Sequence, residues 1–236
     1  MYSVKEVFVS IQGEGVWTGQ LCAFVRLSGC NVWTGREQDR QACAKKGACA
    51  AYCDTDFVGT NGVYGGKYEA ADLVRMLEML APRGSHVVLT GGEPGLQIDE
   101  PLLATLEAAK FKVHVETNGS IKLPRRLETW VTLSPKPPMP VVDQGYDEVQ
   151  VLFPLVDPEP YARFASNRFV QPVTVNGEAV TEESVRACLD FIRSHPSWRR
   201  SRETPSTRRR SPAHGRPVSW ERQGVSGRGC SARSRA

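Results

Sequence analysis

Short apolar segments alternate with amphipathic segments through most of the sequence between residues 68 and 195. Segments such as "HVVLT" (86–90) and "EVQVLF" (148–153) have the length of buried strands. In contrast, "YEAADLVRMLEMLA" (68–81) places apolar residues at helical spacing and ends before Pro82. Strands that alternate with helices form parallel sheets, and the units here are too few for a complete eight-fold barrel. We therefore predict an α/β fold that is an incomplete, open (β/α) barrel.

The other predicted elements follow from the same patterns. Strands are expected at 4–11, 22–27, 112–117, 130–134 and 168–173, and helices at 100–110 and 181–195. The last helix should bury Val185, Leu189 and Ile192. Residues 29–66 are rich in Gly, Cys, Asp and Thr and show neither a helical nor a strand period. They predict one long loop, and long loops within a domain are usually functional.

The basic charge of the chain lies in its last 38 residues. Residues 199–236 contain eleven arginines, no lysine and two glutamates, so removing their +9 from the total of +4 leaves −5 for residues 1–198. The same tail contains no Leu, Ile, Phe or Met, which predicts disorder. We predict a catalytic domain over 1–198 and a basic low-complexity tail over 199–236. The charge of the tail therefore says nothing about the substrate.

Targeting signals are not apparent in the sequence. No run of 18 apolar residues suggests a membrane span, and Lys5 and Glu6 interrupt the N-terminal apolar stretch where a signal peptide would need to be uncharged. The sequence therefore predicts a cytoplasmic protein without a membrane partner. In that compartment the seven cysteines are expected to be free or metal-bound.

Four cysteines fall within the predicted loop: Cys30, Cys43, Cys49 and Cys53. Closely spaced thiolates bind zinc or iron–sulfur clusters. Zinc sites generally use two close pairs, and only one close pair is present here. Three cysteines on a cubane would leave one iron open to another ligand. A structural zinc site and unligated loop cysteines stay open as alternatives on this segment alone.

Polar turns follow several predicted strands. They are "LTGGEP" (89–94), "ETNGS" (116–120), "LSPK" (133–136) and "VQP" (170–172). Turns at the carboxyl ends of parallel strands face the ligand side of α/β folds. Two glycines allow close approach of the backbone to a ligand, and the carboxylate of Glu93 can accept hydrogen bonds from a ligand ammonium group. These turns, beside a cysteine-rich loop, predict an active site.

Together with "IQGEG" (11–15), "FVRLSGCNVWTGRE" (24–37) and "CDTDFVGT" (53–60), these motifs resemble the 7-carboxy-7-deazaguanine synthase family of radical S-adenosylmethionine enzymes. The resemblance covers about residues 4–198 in the right order. It implies a barrel of the radical S-adenosylmethionine type with a long cluster-binding loop. It also implies that Cys30, Cys49 and Cys53 hold a 4Fe–4S cluster, with 31–48 as an insertion and Cys43 as the alternative to Cys49.

The resemblance further implies binding residues for the cofactor, the substrate and a metal ion, and no catalytic side chain. The cofactor S-adenosylmethionine would contact Tyr52, Cys53, Asp54, Gly92, Glu93, Ser134, Pro135, Lys136 and Gln171. The substrate would contact Ile11, Gln12, Gly13, Glu14, Arg26 and Thr90, with Arg26 paired to its carboxylate. Thr55 would bind Mg²⁺. His86 and His114 receive no role.

The activity implied by the resemblance is a carbon–nitrogen lyase reaction in queuosine and 7-deazapurine biosynthesis. It converts 6-carboxy-5,6,7,8-tetrahydropterin into 7-carboxy-7-deazaguanine with loss of ammonia. A flavodoxin-like electron donor and a homodimer are implied, and no nucleic-acid partner. One rival is a radical S-adenosylmethionine activase, which would lack the "IQGEG" and Arg26 set. Another is a zinc-dependent nucleic-acid-binding protein that uses the arginine tail.

The resemblance stops after "CLDFIRSHPSWR" (188–199). Family members continue with a strand and a Thr-His-Lys sequence near the substrate, where this chain has "TPST" (204–207). Deletion of a single base can convert the one into the other, so we predict that the tail is read out of frame. A genuine nucleic-acid-binding tail is the rival interpretation.

Overall fold

The computed structural model describes residues 1–45, 49–173 and 180–201. The predicted disordered and out-of-frame tail beyond Ser201 lies outside these residues. The helices are α1 (Glu37–Ala44), α2 (Ala70–Leu80), α3 (Glu100–Ala108) and α4 (Glu182–Ser194). The strands are β1 (Tyr2–Ile11), β2 (Leu21–Leu27), β3 (Gly66–Tyr68), β4 (His86–Gly91), β5 (Lys112–Thr117), β6 (Thr129–Leu133), β7 (Glu148–Phe153), β8 (Asn167–Pro172) and β9 (Arg199–Arg200).

All nine strands belong to one sheet in the order β3-β1-β2-β4-β5-β6-β7-β8-β9. Strand β1 runs antiparallel to β2 and β3, whereas the seven strands from β2 through β4 to β9 are parallel to one another. The ends of this order, β3 and β9, are not paired with each other within the described residues. The sheet is therefore not closed, which confirms the prediction of an incomplete, open α/β barrel.

The two faces of the sheet differ in character because successive side chains on a strand point to opposite sides. On the outer face, alternate residues such as Val87 and Leu89 of β4 pack with Leu73 and Leu77 of α2 in the main core. On the inner face many of the intervening positions carry polar side chains, for example Gln150 on β7. Helices thus cover one face, and the other face is left for a site.

Side-chain caps fix the N-termini of two helices. Asp99 accepts a hydrogen bond from the backbone N–H of Leu102 at 3.0 Å, and Pro101 occupies the first turn of α3. Thr181 accepts from the N–H of Ser184 at 3.2 Å at the start of α4. Each cap satisfies one of the N–H groups that the first turn of a helix leaves unpaired.

The structure corrects the prediction of residues 29–66 as one irregular loop, because α1 lies within it. Helix α1 buries no residue, so its sequence lacks the apolar period that identifies most helices. Arg40 holds it locally by pairing with Glu37 and by donating to the carbonyl oxygens of Ala50 and Cys53. A helix held by such polar contacts is missed when only hydrophobic spacing is considered.

Helix α4 and the end of the sheet also depart from the sequence prediction. Leu189 is exposed, and the fully buried residue of α4 is Cys188. One residue corresponds to about 100° around a helix, which turns Leu189 away from the core. The sheet continues beyond Trp198 because Arg199 and Arg200 pair with β8 as strand β9. No helix among the described residues is long and apolar enough to cross a membrane.

The core beneath α2 gives a stability prediction. Replacing the fully buried Leu77 with alanine should lower the free energy of unfolding by about 2–5 kcal/mol, since it removes buried methyl groups and leaves a cavity. Met79 on the same helix is 78% exposed, so Met79→Ala should change it by less than about 0.5 kcal/mol. Urea unfolding of both variants measures the difference. Equal losses would contradict the assignment of Leu77 to the core.

Candidate active site

The Gly91–Pro94 turn after β4 packs directly against the start of the cysteine loop. The N–H of Glu93 donates to the carbonyl oxygen of Gly29 at 3.0 Å. A Cβ atom on Gly92 would lie 2.3 Å from that oxygen and 2.6 Å from the Cβ of Cys30. Gly91 has a φ of 140°, and a Cβ atom on it would lie 2.2 Å from the carbonyl oxygen of Leu27. Glycine at both positions is therefore required for this approach.

Glu93 is buried, and its carboxylate connects the turns after β4 and β5. It accepts hydrogen bonds from the N–H of Gly95 at 2.8 Å, the hydroxyl of Thr117 at 2.7 Å and the N–H of Asn118 at 2.7 Å. Burial raises the pKa of the Glu93 carboxyl, and these three hydrogen bonds oppose the rise. The turn is thus held in shape by the same carboxylate that the sequence assigns to a ligand.

Cys30, Cys49 and Cys53 pack with Trp33 and Phe57 in one small apolar cluster, here named the cysteine pocket. The thiol of Cys49 hydrogen-bonds to Cys53, which is the main reason why the pKa of Cys53 falls to about 6 despite burial. The same interaction, together with burial, raises the pKa of Cys49. Burial also raises the pKa of Cys30, and the negative charge of Cys53 adds to that effect.

The donor set of three thiols suits an iron–sulfur cluster better than a single metal ion. Among residues 1–45, 49–173 and 180–201, no three His, Cys, Asp or Glu side chains converge on a point that suits a single metal ion. In a cubane, by contrast, each cysteine binds a different iron. Three cysteine sulfurs in a largely apolar pocket fit iron–sulfur ligation. Cys43 packs against the same pocket from α1.

Lys136 lies between the cysteine pocket and the inner face of the sheet. Its ammonium donates to the carbonyl oxygen of Ser134 at 3.0 Å and to the Ser134 hydroxyl. Burial lowers the pKa of Lys136, and the negative charges of Cys49, Cys53 and Glu93 act in the opposite direction. The adjoining Pro135 fixes the backbone between Ser134 and Lys136. A cation is therefore held close to the thiols.

The residues on either side of Cys53 include three more that the sequence predicts for the site. The backbone N–H of Thr55 hydrogen-bonds to the sulfur of Cys53, and Asp54 lies near enough for its charge to raise the pKa of that thiol. Tyr52 is half-buried, and burial, aided by the charges of Cys49 and Cys53, raises its pKa to about 12. The structure thus places all three residues beside the cysteine pocket.

The loop between β1 and β2 crosses the inner face of the sheet. Gln12 donates to Glu116 at 3.1 Å, and Gln171 donates to Glu14 at 3.0 Å. The predicted substrate residues Gln12 and Glu14 are therefore together, and Gln171, predicted to bind the cofactor, joins them. Gly13 lies between them in the loop. The side chain of Ile11 is 52% exposed, so only its backbone can contribute to an inner site.

Arg26 and Thr90 are register neighbours on β2 and β4. The structure gives Arg26 a partner that the sequence did not predict, since its Nε lies 2.9 Å from Oε1 of Glu6. Its guanidinium also lies 5.8 Å from the ring centre of Phe8. Contact with a substrate carboxylate would thus place a second acidic partner on an arginine that already has one.

Two inner-face carboxylates, Glu116 and Glu148, were missed by sequence reasoning. Glu148 on β7 accepts from the N–H of Val16 at 2.8 Å. Burial, with a smaller effect from the charge of Glu116, raises the pKa of Glu148 to about 7. A cavity of about 10 Å³, enough for about one water, lies beside them and is lined by Gln12, Glu14, Trp17, His114, Glu116, Thr132, Glu148 and Gln150. The alternating polar residues of "EVQV" were the available signal.

A buried pair of imidazoles lies at the same end of the sheet as the β1–β2 loop. Nδ1 of His86 and Nε2 of His114 are 2.8 Å apart. The ring of Trp17 packs against both at centroid distances of 4.8 and 5.1 Å. Burial lowers the pKa of His114 to about 3, with the charges of His86 and Lys112 contributing. These residues pack the floor of the inner face.

Comparison with curated proteins identifies relatives over most of the chain. The 7-carboxy-7-deazaguanine synthase of Bordetella pertussis is 43% identical over 213 residues, and that of Caulobacter vibrioides is 44% identical over 211 residues. Each match covers 86% of this chain and 96% of the relative. The crystal structure of QueE from Escherichia coli matches with a TM-score of 0.67 and 25% identity over 86% of this chain and 94% of that chain. No family model matches the sequence.

The raised pKa of Glu148 predicts how stability depends on pH. Its carboxyl ionises near 4.5 when exposed and near 7 in the fold, so between these values the folded chain binds more protons and rising pH favours unfolding. Glutamine does not titrate. The free energy of unfolding of Glu148→Gln, relative to the parent chain, should therefore rise by up to about 3 kcal/mol from pH 4.5 to 8.

Urea unfolding at a series of pH values measures this effect. Glu128→Gln, at an exposed carboxylate, is the matched control and should follow the parent curve at every pH. If the Glu148→Gln curve also runs parallel to the parent curve, the environment assigned to Glu148 is wrong.

Proposed function

The chain belongs to the 7-carboxy-7-deazaguanine synthase family, and from this premise we propose that it converts 6-carboxy-5,6,7,8-tetrahydropterin into 7-carboxy-7-deazaguanine with loss of ammonia. The proposed cofactors are a 4Fe–4S cluster, S-adenosylmethionine and Mg²⁺. When bound, the cluster and S-adenosylmethionine supply radical chemistry for removing hydrogen from the substrate. The residues of the chain bind and orient the reactants and keep water out.

One observation carries this proposal: the three-thiol pocket, the Gly91–Pro94 turn and the polar inner face are contiguous. Gly92 approaches Cys30 so closely that no side chain fits between the turn and the cysteine loop. Lys136 then connects the thiols with the inner face, where the charge of Glu14 acts on it. A cofactor that spans the cluster and the substrate would lie along this path.

S-adenosylmethionine would lie against the turns at the carboxyl ends of the parallel strands. The backbone of Gly92 and the carboxylate of Glu93 suit its amino group, which is cationic when free. Glu93 accepts from Gly95, Thr117 and Asn118, and its lone pairs can take one further donor. The remaining proposed contacts are Tyr52, Cys53, Asp54, Ser134, Pro135, Lys136 and Gln171.

The substrate would lie deeper, against the β1–β2 loop. Its pyrimidinone edge carries both donors and acceptors, and the amide of Gln12 and the carboxylate of Glu14 can match them. Gly13 and Ile11 would contribute backbone groups, and Thr90 its hydroxyl. Thr55, next to the cysteine pocket, would help to hold Mg²⁺, whose positive charge offsets the carboxylate of the substrate.

Anaerobic reconstitution with iron and sulfide tests the function directly. The loaded chain should absorb in the visible range and, with S-adenosylmethionine, Mg²⁺ and a reductant, release the deazapurine and ammonia in equal amounts. A chain that cleaves S-adenosylmethionine without using the pterin would favour the activase. A colourless chain that retains zinc would favour the nucleic-acid-binding alternative. A flavodoxin-like donor, a homodimer and a cytoplasmic location remain part of the proposal.

The choice of cluster ligands gives a further prediction. Cys49→Ala should abolish cluster binding because it removes one of three interacting thiols, whereas Cys43→Ala should retain it. Iron and sulfide content, with visible absorbance, measures both. Loss of iron from the Cys43→Ala chain but not from the Cys49→Ala chain would reverse the assignment.

The tail generates another prediction. Ser201 already holds the β1–β2 loop, since its hydroxyl accepts from the N–H of Gly15 and from Gln150, both at 3.1 Å. Residues that follow it in the correct frame would therefore start beside the proposed substrate site. Restoring the frame should raise pterin turnover about tenfold or more, which corresponds to one regained hydrogen bond of about 1.4 kcal/mol.

Cleavage of S-adenosylmethionine without the pterin should change little, because the proposed contacts of that cofactor precede the tail. Deleting residues 207–236 from the chain as written is the matched control and should not restore turnover. Equal turnover by the original and the restored chains would refute the frame-shift interpretation.

A further inference from the structure

We propose that Lys5 is a positioning residue that fixes the segment 55–61 and thereby sets the affinity of the site for Mg²⁺. The proposal rests on the proposed function, in which Thr55 helps to hold that ion. Lys5 lies on β1, far from Thr55 in sequence, and it belongs to none of the groups of binding residues that the sequence predicts. Its effect would pass to the metal entirely through the 55–61 segment.

The ammonium of Lys5 makes three contacts, all of them with this segment. The side chain is only 8% exposed, and Nζ lies 2.8 Å from Oδ2 of Asp56, 2.9 Å from the carbonyl oxygen of Val58 and 2.8 Å from Oδ1 of Asn61. An ammonium group has three donors, so these contacts use its whole hydrogen-bonding capacity. A buried lysine with three oxygen partners in six residues acts as a fixed anchor for that stretch of chain.

Backbone contacts attach residues 62 and 63, which directly follow the segment, to the same strand. The N–H of Gly62 donates to the carbonyl oxygen of Lys5 at 3.0 Å, and the N–H of Val7 donates to the carbonyl oxygen of Val63 at 2.8 Å. A Cβ atom on Gly62 would lie 2.5 Å from the oxygen of Lys5. These contacts secure residues 62 and 63. Lys5 is therefore the link from β1 to the part of the segment nearer Thr55.

Asp56 transmits the position of Lys5 to Thr55. Its Oδ1 accepts from the N–H of Val58 at 3.1 Å while its Oδ2 holds Lys5. The carboxylate is thus clamped on both sides, and a single peptide bond joins its residue to Thr55.

Mg²⁺ is sensitive to such positioning because it demands near-ideal octahedral geometry. Residues that orient metal ligands without touching the metal typically change metal affinity 10–100-fold when they are mutated. Cys53 should be affected less. Its sulfur lies beside Cys49 and the backbone of Thr55, and Arg40 binds its carbonyl oxygen. Loss of Lys5 should therefore separate metal affinity from cluster binding.

The test uses Lys5→Met, which keeps the length of the side chain and removes its charge and donors. With substrate and S-adenosylmethionine but no reductant, Mn²⁺ titration followed by electron paramagnetic resonance reports metal binding without turnover. The half-saturating metal concentration should rise about tenfold, as should the Mg²⁺ concentration for half-maximal activity. Cluster content should stay at the parent value, and activity at saturating Mg²⁺ within about twofold.

A double-mutant cycle with Asp56→Asn tests whether Lys5 acts through Asp56. The Asp56 side chain is 70% exposed, so this variant should fold even if Lys5→Met does not, and it alone then carries the test. Its half-saturating concentration should shift as in Lys5→Met, and the double variant should shift no further. Lys67→Met, at an exposed lysine of β3, is the matched control and should bind the metal as the parent does.

Thr55→Ala separates failure of this proposal from failure of the proposed function. If the chain forms no product even with its reading frame restored, the proposed function fails, and if Thr55→Ala binds the metal normally, the proposed magnesium site fails. If Thr55→Ala weakens metal binding but Lys5→Met and Asp56→Asn do not, the role of Lys5 is refuted. Additive shifts in the double variant, or an equal shift in Lys67→Met, would also refute it, since Lys5 would then act without Asp56 or without specificity.

Discussion

The two-sided alternation of side chains along seven consecutively parallel strands is the constraint on which the rest of this structure depends. Because helices cover only one face, apolar residues such as Val87 and Leu89 must alternate with residues on the uncovered, inner face. The sheet is not closed, and the turns after its strands, here named the rim, border the uncovered face, here named the trough. Sites for a cofactor at the rim and a substrate in the trough follow from this single arrangement.

A polar inner face creates a second requirement, because a buried polar group without a partner costs about 1–3 kcal/mol. The β1–β2 loop meets it by crossing the trough, where Gln12 binds Glu116 and Glu14 binds Gln171. The backbone of Gly15 and Val16 likewise binds Ser201 and Glu148. The residues proposed to recognise the substrate are therefore those that satisfy the sheet in its absence, and a ligand must exchange hydrogen bonds with them one for one.

Sequence reasoning predicted the open α/β fold because strand and helix periods are properties of short segments. The rim could also be predicted, since two glycines after an apolar strand indicate a close approach of the backbone, and the structure does bring the turn against Cys30. Helix α1 was not predicted because polar contacts of Arg40 hold it, and such contacts leave no periodic pattern in the sequence. The role of Glu148 in the inner face was not predicted because its burial depends on a loop more than 130 residues away in sequence.

The charges on the inner face give an independent reason for a divalent cation in the proposed reaction. Glu14, Glu116 and the partly ionised Glu148 lie in or around the trough, and Arg26 is already paired with Glu6. Lys136 lies near the thiols of Cys49 and Cys53 and donates to Ser134. A substrate that carries its own carboxylate would enter a region of the same sign, where unscreened repulsion between buried charges is strong. A metal ion beside Thr55 would reverse that local sign, so the carboxylates that recognise the pterin ring need not repel its substituent.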